Sequence, residues 1–569
     1  MISQIVATLA AAALMISPVF AQGDTNPVDP ISPGETEASS EGMTPEMLYE
    51  FLLAEIASQR DQGGVAAAAY ADLARKLRDP RIAQRAVETA LSSRDVELAV
   101  RAANLWLELE PESMTARQTL IGLLLATGKI NDATPHIKSL LNSQPAIVGR
   151  TFMQLGALMA RYPDKLAGLK AITELAADYQ DVPEARFVTA QTARAAQQSP
   201  VALAESKAAL ALRPDWELAA LLHGDVLLQG APSKAIKFYR EFLEKYPAAR
   251  DVRTTLARQL ASEKDFAGAR KEFEVLLAAA PTMAEYHFAL GILCVELKDY
   301  AAAEKHLTRT LELNFRDQDT VRTYLGQMNE DRKRIREAIG WYRQVQDGES
   351  YFASQLRAAS LMAKQGDLKG ARAHLSTIRA VSSEQKSLVV IANAQILREA
   401  KQYENALNTL SEGLKSEPDS PELLYDRAMT AEKLNRLDVL ETDLRKIITL
   451  KPDHAHAYNA LGYTFAERNI RLPEALDLIE KAYELDSQDA AILDSMGWIN
   501  YRLGNLDKSL DYLRRALAVR PDPEIAAHLA EVLLALGERG EAKTISEQAL
   551  RDNPDNEALL AVAKKLEVR

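Results

Sequence analysis

The sequence has only one cysteine, Cys294, in 569 residues, and aromatic residues make up just 6% of it. A lone cysteine excludes an intramolecular disulfide and a cysteine-rich metal site. The net charge of −12 argues against nucleic-acid binding, which requires a basic face to replace phosphate counterions. Alanine, leucine, glutamate, lysine and arginine are abundant instead, and they favour α-helix because they lose little side-chain freedom in it.

One apolar run, residues 5–21 (IVATLAAAALMISPVFA), lies near the start of the chain. It is too short for a comfortable membrane span and ends in Val19-Phe20-Ala21, a small-residue cleavage signal, so we predict a signal peptide over residues 1–21 and a periplasmic location. The alternative is an uncleaved, membrane-associated segment, because the first twenty residues contain no lysine or arginine. No cysteine lies near the cleavage point, so membrane association is expected to be indirect at most.

Residues 22–43 contain three prolines, three glycines and five acidic residues but almost nothing apolar. Such a segment cannot bury enough surface to offset the entropy lost on ordering it. We therefore predict a disordered, acidic and proline-rich leader over residues 22–43. The helical region is expected to start at Thr44-Pro45, a helix cap followed by proline at the first helical position.

A pattern repeats along the rest of the chain, and residues 455–521 hold its two best copies. Leu461-Gly462-Tyr463 recurs 35 residues later as Met496-Gly497-Trp498. A proline also returns at intervals of about 34 residues or multiples of it, and it suits the point between two helices because it cannot continue the first. These prolines are Pro80, Pro111, Pro145, Pro214, Pro247, Pro281, Pro418, Pro452, Pro521 and Pro554. The period predicts a helix–turn–helix repeat.

Inside each repeat a small residue begins the packing face of the second helix, and a large apolar residue usually follows four positions later. Four residues make about one helical turn, so the two share a face; the small one lets helices approach and the large one fills the groove. The small residues are Ala99, Ala133, Ala235, Ala269, Ala303, Ala338, Ala371 and Ala406, and the large ones are Ile137, Tyr239, Phe273, Leu307, Tyr342, Leu375 and Leu410. Aspartates after four of the prolines are expected to cap the next helix: Asp215, Asp453, Asp522 and Asp555.

The pattern resembles that of the tetratricopeptide repeat (TPR) family, in which a glycine–aromatic pair, an alanine, a large apolar residue and a proline follow one another at these spacings. The resemblance implies an all-α TPR solenoid, a right-handed superhelix of helix–turn–helix repeats. Residues 182–554 match as the TPR array, whereas residues 44–181 match less well and are expected to be degenerate, TPR-like repeats. Residues 555–569 are expected to form a C-terminal capping helix. One repeat alone cannot offset its ordering entropy, so stacking is expected to provide the stability.

Four segments match a chemical motif only in part. Gly122–Lys129 differs from a phosphate-binding loop because five residues separate its glycines and Ile130 replaces the magnesium-binding serine or threonine. The histidines of Asp453–His456 are two residues apart and cannot share a helical face, so a capping aspartate beside exposed histidines is expected. Cys294 is expected to be a buried, inert thiol. The basic run Arg332–Arg336 predicts a solvated turn, with contact to an anionic partner as the alternative.

No catalytic, cofactor-binding or metal-binding set emerges, so we expect a non-enzymatic protein that binds other proteins and no small-molecule substrate. In a TPR solenoid the first helix of each repeat lines the concave surface. Aromatic residues and arginine are the usual anchors of protein interfaces. The predicted protein-binding residues are Tyr425, Met429, Lys433, Asn459, Tyr463, Asp494, Trp498, Tyr501 and Arg502, with Glu432 and Glu467 on the same face. The alternative is that Tyr463 and Trp498 only fill the space beside their glycines.

The sequence of residues 400–540, which includes YDRAM, NALGYTFAERN and SMGWINYRLGN, resembles more specifically the proteobacterial envelope TPR proteins of the LbcA type. That family implies an adaptor of the carboxyl-terminal processing protease CtpA, whose substrates include cell-wall hydrolases. The family type carries a lipobox cysteine where this chain has Val19-Phe20-Ala21-Gln22, which puts membrane anchoring in doubt. The alternative function is a structural TPR subunit of an envelope assembly system for a pilus, secretion or exopolysaccharide export.

Overall fold

The computed structural model describes residues 44–60, 62–143 and 145–567. The predicted signal peptide (1–21) and leader (22–43) lie outside these residues and stay predictions. Within the described residues, regular structure consists of 31 α-helices, one short 3-10 helix and no strand, which confirms the all-α fold. None of the described helices is both long and apolar enough to cross a membrane.

The described residues divide into two compact units, one that ends at Thr282 and one that begins at Met283. The helices described in the N-terminal unit are α1 (Pro45–Gln59), α2 (Gly63–Leu77), α3 (Pro80–Ser92), α4 (Val96–Leu109), α5 (Met114–Ala126), α6 (Ile130–Ser143), α7 (Val148–Arg161), α8 (Lys165–Ala176), α9 (Pro183–Ala195), α10 (Ser199–Leu212), α11 (Glu217–Leu228), α12 (Pro232–Lys245), α13 (Arg250–Ser262) and α14 (Phe266–Ala279). The 3-10 helix Pro145–Ile147 lies between α6 and α7.

The helices described in the C-terminal unit are α15 (Ala284–Glu296), α16 (Tyr300–Glu312), α17 (Gln318–Asp331), α18 (Ile335–Arg343), α19 (Ser350–Lys364), α20 (Leu368–Leu375), α21 (Ser383–Glu399), α22 (Tyr403–Ser416), α23 (Pro421–Lys433), α24 (Leu437–Leu450), α25 (Ala455–Glu467), α26 (Leu472–Leu485), α27 (Ala490–Arg502), α28 (Leu506–Val519), α29 (Pro523–Ala535), α30 (Arg539–Asp552) and α31 (Glu557–Glu567).

Within each unit the helices follow the order expected of TPR repeats, with odd-numbered first helices and even-numbered second helices. Most helices pack against the helix that follows them in the chain. Most first helices also contact the first helix of the next repeat, as α25 does with α27 and α27 with α29. Within each unit the first helices that make these contacts lie side by side in a layer, which is the arrangement of a TPR solenoid.

The predicted packing pairs form the core. All eight alanines at the start of the second-helix packing face are fully buried, and the seven large residues one turn later are buried as well. Glycine lets the paired helices approach closely at Gly462 and Gly497. A Cβ atom at Gly497 would lie 2.5 Å from Cγ of Leu513, and one at Gly462 would lie 2.6 Å from Cγ1 of Ile479. The repeat therefore depends on small residues at its helix crossings.

Most first helices are followed by one residue with a left-handed backbone conformation. This conformation ends the helix and begins the turn. Glycine has this conformation at Gly128 (φ +75°) and Gly504 (φ +82°), whereas Lys264 (φ +63°) and Asn435 (φ +57°) adopt it in other repeats. The position recurs at the repeat spacing, but its residue type varies. Residue identity alone therefore does not reveal it.

The prediction that aspartate after proline caps the next helix is right for Asp522 and wrong for the other three. The Asp522 side chain accepts the N–H of Glu524 at 2.9 Å at the start of α29. At the other three helices the side chain or backbone of the following residue takes the cap position: Trp216, His454 and Asn556. Proline and aspartate there occupy the two turn positions, so the cap moves one residue further along the chain.

Candidate protein-binding face

Four neighbouring first helices, α23, α25, α27 and α29, carry the predicted binding residues and one further residue, His528. Polar caps fix where all four begin, and at α23 the hydroxyl of Ser420 accepts the N–H of Leu423 at 3.3 Å. The carboxylate of Asp489 accepts the N–H groups of Ala491 and Ile492 at the start of α27, at 2.9 and 3.0 Å. The imidazole of His454 accepts the N–H of Ala457 at 3.1 Å at the start of α25, and Asp522 caps α29. These caps set the register in which side chains of successive repeats meet.

Trp498 of α27 lies at the centre of an aromatic cluster. The imidazole of His528, on α29, stacks on its indole with ring centroids 4.1 Å apart and an interplanar angle of 23°. The ring of Tyr501 lies 5.1 Å from the indole and that of Tyr463 lies 6.2 Å from the imidazole. The guanidinium of Arg502 lies 5.4 Å from the indole centroid. The cluster, called the aromatic face below, joins α25, α27 and α29.

His528 and Asp494 form a buried pair within the aromatic face. Nδ1 of His528 lies 2.9 and 3.1 Å from the two carboxylate oxygens of Asp494. Burial lowers the pKa of His528, but the hydrogen bond and charge of Asp494, with the charges of Glu467 and Glu524, outweigh burial and raise this pKa above its ordinary value. The folded protein therefore favours the protonated imidazole.

A pH-dependent contribution to stability follows. Because the folded-state pKa of His528 is raised, the pair stabilises the fold fully below pH about 6.5, and this contribution is lost as pH rises through the folded-state pKa. We expect His528→Gln to lower the free energy of unfolding at pH 6, by roughly 1.4 kcal/mol for each tenfold difference in proton affinity between the folded and the unfolded chain, and much less at pH 9. Urea unfolding at both pH values measures the difference. His456→Gln, at an exposed histidine, is the control, and an equal loss for His528→Gln at both pH values would contradict the linkage.

Arg502 and Lys433 differ in the contacts that their charged groups make with other described residues. Arg502 donates from Nε to the carbonyl oxygen of Ala466 at 3.0 Å and from Nη2 to that of Glu467 at 2.6 Å. Its charge thus lies at the C-terminal end of α25, where the helix dipole favours a cation. Lys433 is exposed, and its Nζ lies 3.9 Å from the carboxylate of Glu432. An exposed pair at that distance contributes little to stability.

Three tyrosines are half-buried on this set of helices. Tyr425 stacks on the imidazole of His454, with ring centroids 5.8 Å apart. Burial raises the pKa of Tyr425 and of Tyr463, and nearby carboxylates raise both further. Tyr501 lies against the indole of Trp498 and, like Met429, is half-buried. Each of these side chains therefore still offers part of its surface to a partner.

Two polar atoms in the set are buried without a hydrogen-bond partner among the described residues. They are Nε1 of Trp498 and Oδ1 of Asn459. Trp498 is 5% exposed and Asn459 is 9% exposed. A buried polar group that makes no hydrogen bond costs about 1–3 kcal/mol, so both positions carry a local penalty in this conformation.

The predicted binding residues thus fall into three groups. Trp498, Asn459 and Asp494 are buried; Tyr425, Met429, Tyr463, Tyr501 and Arg502 are half-buried; Lys433 is exposed. Side chains of second helices, Leu513 and Ile479, lie nearest to the two glycines. The alternative role for Trp498 and Tyr463, filling the space beside their glycines, also stays a prediction, and the 5% exposure of Trp498 agrees with a packing role for its indole. The assignment of all nine residues to partner binding stays a prediction.

His528 is the functional candidate that the sequence analysis missed. It lies 34 residues after Asp494, which lies 35 residues after Asn459. Extending the repeat register by one more unit would have found it. The glycine–aromatic pattern ends at α27 with Trp498, and histidine has no special place in the repeat pattern.

The segments that partly match chemical motifs belong to the repeat architecture. Gly122–Lys129 forms the end of α5 and its turn, and Cys294 is fully buried in α15. In the basic run, Arg332 and Arg334 pair with Glu304 at 2.8 and 3.5 Å. Across the residues that the structure describes, no three histidine, cysteine, aspartate or glutamate side chains group as metal ligands would.

Comparison with known proteins gives the same repeat. The tetratricopeptide repeat family matches residues 254–313, 288–351 and 495–557. "TPR repeat-containing protein PA4667" of Pseudomonas aeruginosa is 34% identical over 505 residues, 87% of this chain and 84% of that protein. The mitochondrial import receptor subunit TOM70 of Rattus norvegicus is 28% identical over 153 residues, 26% of this chain and 25% of that protein. The crystal structure of TTC0263, a thermophilic TPR protein of Thermus thermophilus, is 26% identical and covers 32% of this chain and 98% of its own, with a TM-score of 0.30.

Proposed function

Since the chain belongs to the TPR-repeat protein family, we propose that it is a non-enzymatic scaffold that binds protein partners through the aromatic face. The observation that carries the proposal is that Tyr463 of α25 and Trp498 of α27 both contact the imidazole of His528 on α29. Tyr501 and Arg502 lie against the indole of Trp498. Tryptophan, tyrosine and arginine dominate the energetics of protein interfaces. Relatives over about a quarter of the chain are named an import receptor subunit and an acetyltransferase auxiliary subunit, which suits a protein-binding role.

The proposed partners are a carboxyl-terminal processing protease and its cell-wall hydrolase substrates, and the proposed location is the periplasm. Support comes from the resemblance of residues 400–540 to envelope adaptors of the LbcA type and from the signal peptide predicted at residues 1–21. A scaffold that holds a protease and its substrate on one chain turns their encounter into a local event at high effective concentration. The chain itself then needs no catalytic group.

Alanine substitutions in the aromatic face test the binding site. We expect Trp498→Ala, and separately Tyr463→Ala, to weaken partner binding by about 30-fold or more, the effect of losing an anchor worth about 2 kcal/mol. Affinity purification of the tagged full-length chain from the cell envelope, followed by mass spectrometry, identifies the partner, and titration then gives its Kd. The control is Tyr512→Ala, which removes a half-buried tyrosine from the second helix α28. Full binding by the Trp498 and Tyr463 variants, with helical content intact by circular dichroism, would rule out this face.

A cleavage assay tests the adaptor role separately. The purified protease is incubated with a cell-wall hydrolase in the presence and absence of the full-length chain, and the cleavage rate is measured. We expect the chain to raise the rate, and the Trp498→Ala variant to raise it less. If the rate does not change and purification recovers secretion, pilus or export subunits, the adaptor role is wrong and an assembly scaffold replaces it.

A further inference from the structure

The charge around the aromatic face is predominantly negative. The carboxylates of Glu432, Glu467, Asp494 and Glu524, from four successive first helices, all act on the hydroxyl of Tyr463 and raise its pKa. Glu467 and Glu524 are exposed, and neither forms an ion pair with a described residue. Cations also lie on the same helices: Arg502 binds backbone carbonyls, His528 binds Asp494, and the exposed Lys433 lies 3.9 Å from the carboxylate of Glu432.

We infer that the aromatic face takes an extended polypeptide segment that carries lysine or arginine side chains. The inference rests on the proposed function and specifies the chemistry of the partner. Glu467 and Glu524, which form no ion pair with a described residue, attract a cation from the partner, and charge complementarity of this kind selects partners. The half-buried rings of Tyr425, Tyr463 and Tyr501 provide surfaces on which an ammonium or guanidinium group is stabilised by the ring electrons.

The two unpartnered polar atoms favour a polypeptide over a small cation. Nε1 of Trp498 is a donor and Oδ1 of Asn459 is an acceptor, and both are buried without partners among the described residues. Both atoms are buried, so the indole and the amide have to shift slightly toward the surface before a partner reaches them. An extended chain presents carbonyl oxygens and N–H groups alternately along its length, so it then supplies both missing partners. Hydrogen bonds to it would remove the penalty that both atoms carry in the unbound chain.

Peptide binding to the purified full-length chain tests the inference. Three fluorescein-labelled peptides of twelve residues share one apolar framework and differ at alternate positions, which carry lysine and arginine, glutamine, or glutamate. Fluorescence anisotropy gives their Kd values. We expect the basic peptide to bind about tenfold or more tightly than the glutamine peptide, with affinity falling as salt screens the charges, and no detectable binding of the acidic peptide.

Charge-neutral variants separate the face from the general acidity of the chain. Glu467→Gln combined with Glu524→Gln is expected to weaken binding of the basic peptide by about fivefold or more. The control is Glu480→Gln combined with Glu484→Gln, which removes the same charge from exposed positions on the second helix α26. Trp498→Phe keeps an aromatic ring and removes the indole N–H; we expect weaker binding with unchanged or higher thermal stability, a combination that a purely structural role for the indole would not give.

Equal affinity for the three peptides, or equal losses in the two double variants, would overturn the inference. Failure of the inference can be told from failure of the proposed function. If the envelope partner is lost on Trp498→Ala while the peptides show no charge preference, the face binds a partner of different chemistry. If Trp498→Ala affects neither partner nor peptide, the face is not the binding site and both proposals are wrong.

Discussion

Replacing Arg427 with methionine is expected to destabilise the C-terminal unit by about 3–5 kcal/mol, the usual cost of leaving a buried charge unpaired. Arg427 lies on α23, the helix that carries Tyr425 and Met429. Its Nε and Nη2 donate to the two carboxylate oxygens of Asp443 at 2.7 Å each, and its Nη1 lies 3.3 Å from the hydroxyl of Ser411. The Asp443 side chain is only 1% exposed. Arg427 thus joins α23 to α24 through its ion pair with Asp443 and to α22 through its hydrogen bond to Ser411.

The measurement is urea unfolding followed by circular dichroism, with hydrogen exchange of α22–α24 to localise the loss, because repeat arrays do not always unfold as one unit. Replacing both partners, Arg427→Met with Asp443→Leu, should recover most of the loss, since no buried charge remains unpaired. The matched control is Arg514→Met, whose pair with Glu541 is exposed and contributes at most about 1 kcal/mol. A loss below about 1 kcal/mol for Arg427→Met would show that Asp443 finds water or another partner.

Gly497→Val is expected to destabilise the same unit by about 3 kcal/mol, the upper part of the usual cost of overpacking. A Cβ at this position would lie 2.5 Å from Cγ of Leu513 and 3.2 Å from the carbonyl oxygen of Ser509. Leu513 is fully buried, so it has little room to move, and the second contact is with backbone. The helices α27 and α28 would have to separate, and Trp498, the next residue, would move with α27.

Gly340→Ala provides the control for Gly497→Val. Gly340 lies in the middle of α18, and a Cβ there meets nothing within 4 Å. That substitution should stabilise the protein by about 0.5–1 kcal/mol, because alanine loses less backbone entropy than glycine in a helix. Thermal and urea unfolding of both variants provide the comparison. Equal stability of the Gly497→Val variant and the unsubstituted chain would mean that the helix crossing tolerates greater separation than its packing indicates.

The two predictions connect the core to the candidate site. Arg427 fixes the helix that presents Tyr425, and Gly497 fixes the helix that presents Trp498. A loss of partner binding in either variant would therefore show that the aromatic face has moved. It would not show that a contact to the partner has been removed. For this reason the alanine variant of the half-buried Tyr463, with Tyr512→Ala as control, is the most direct test of binding, whereas Trp498→Ala also removes a buried side chain.

The sequence by itself determined the fold, because the repeat is specified by the size of the residues and by their spacing along the chain. An alanine such as Ala303 and a leucine such as Leu307 can share one helix face only in one register, and repetition over many units leaves one architecture that buries them all. The sequence also placed Trp498, Tyr463 and Asp494 on one layer of first helices, because residues about 34 apart occupy equivalent positions in successive repeats.

Only the tertiary structure decided how those equivalent positions touch. The stack of His528 on Trp498 and the pair of His528 with Asp494 join different repeats, and their geometry depends on how closely α27 and α29 approach. The burial of Trp498 and Asn459 likewise could not be predicted from the sequence, because the exposure of a side chain depends on neighbouring helices and not on residue type. Local periodicity specifies which residues face a common side; packing between repeats specifies which of them remain open to a partner.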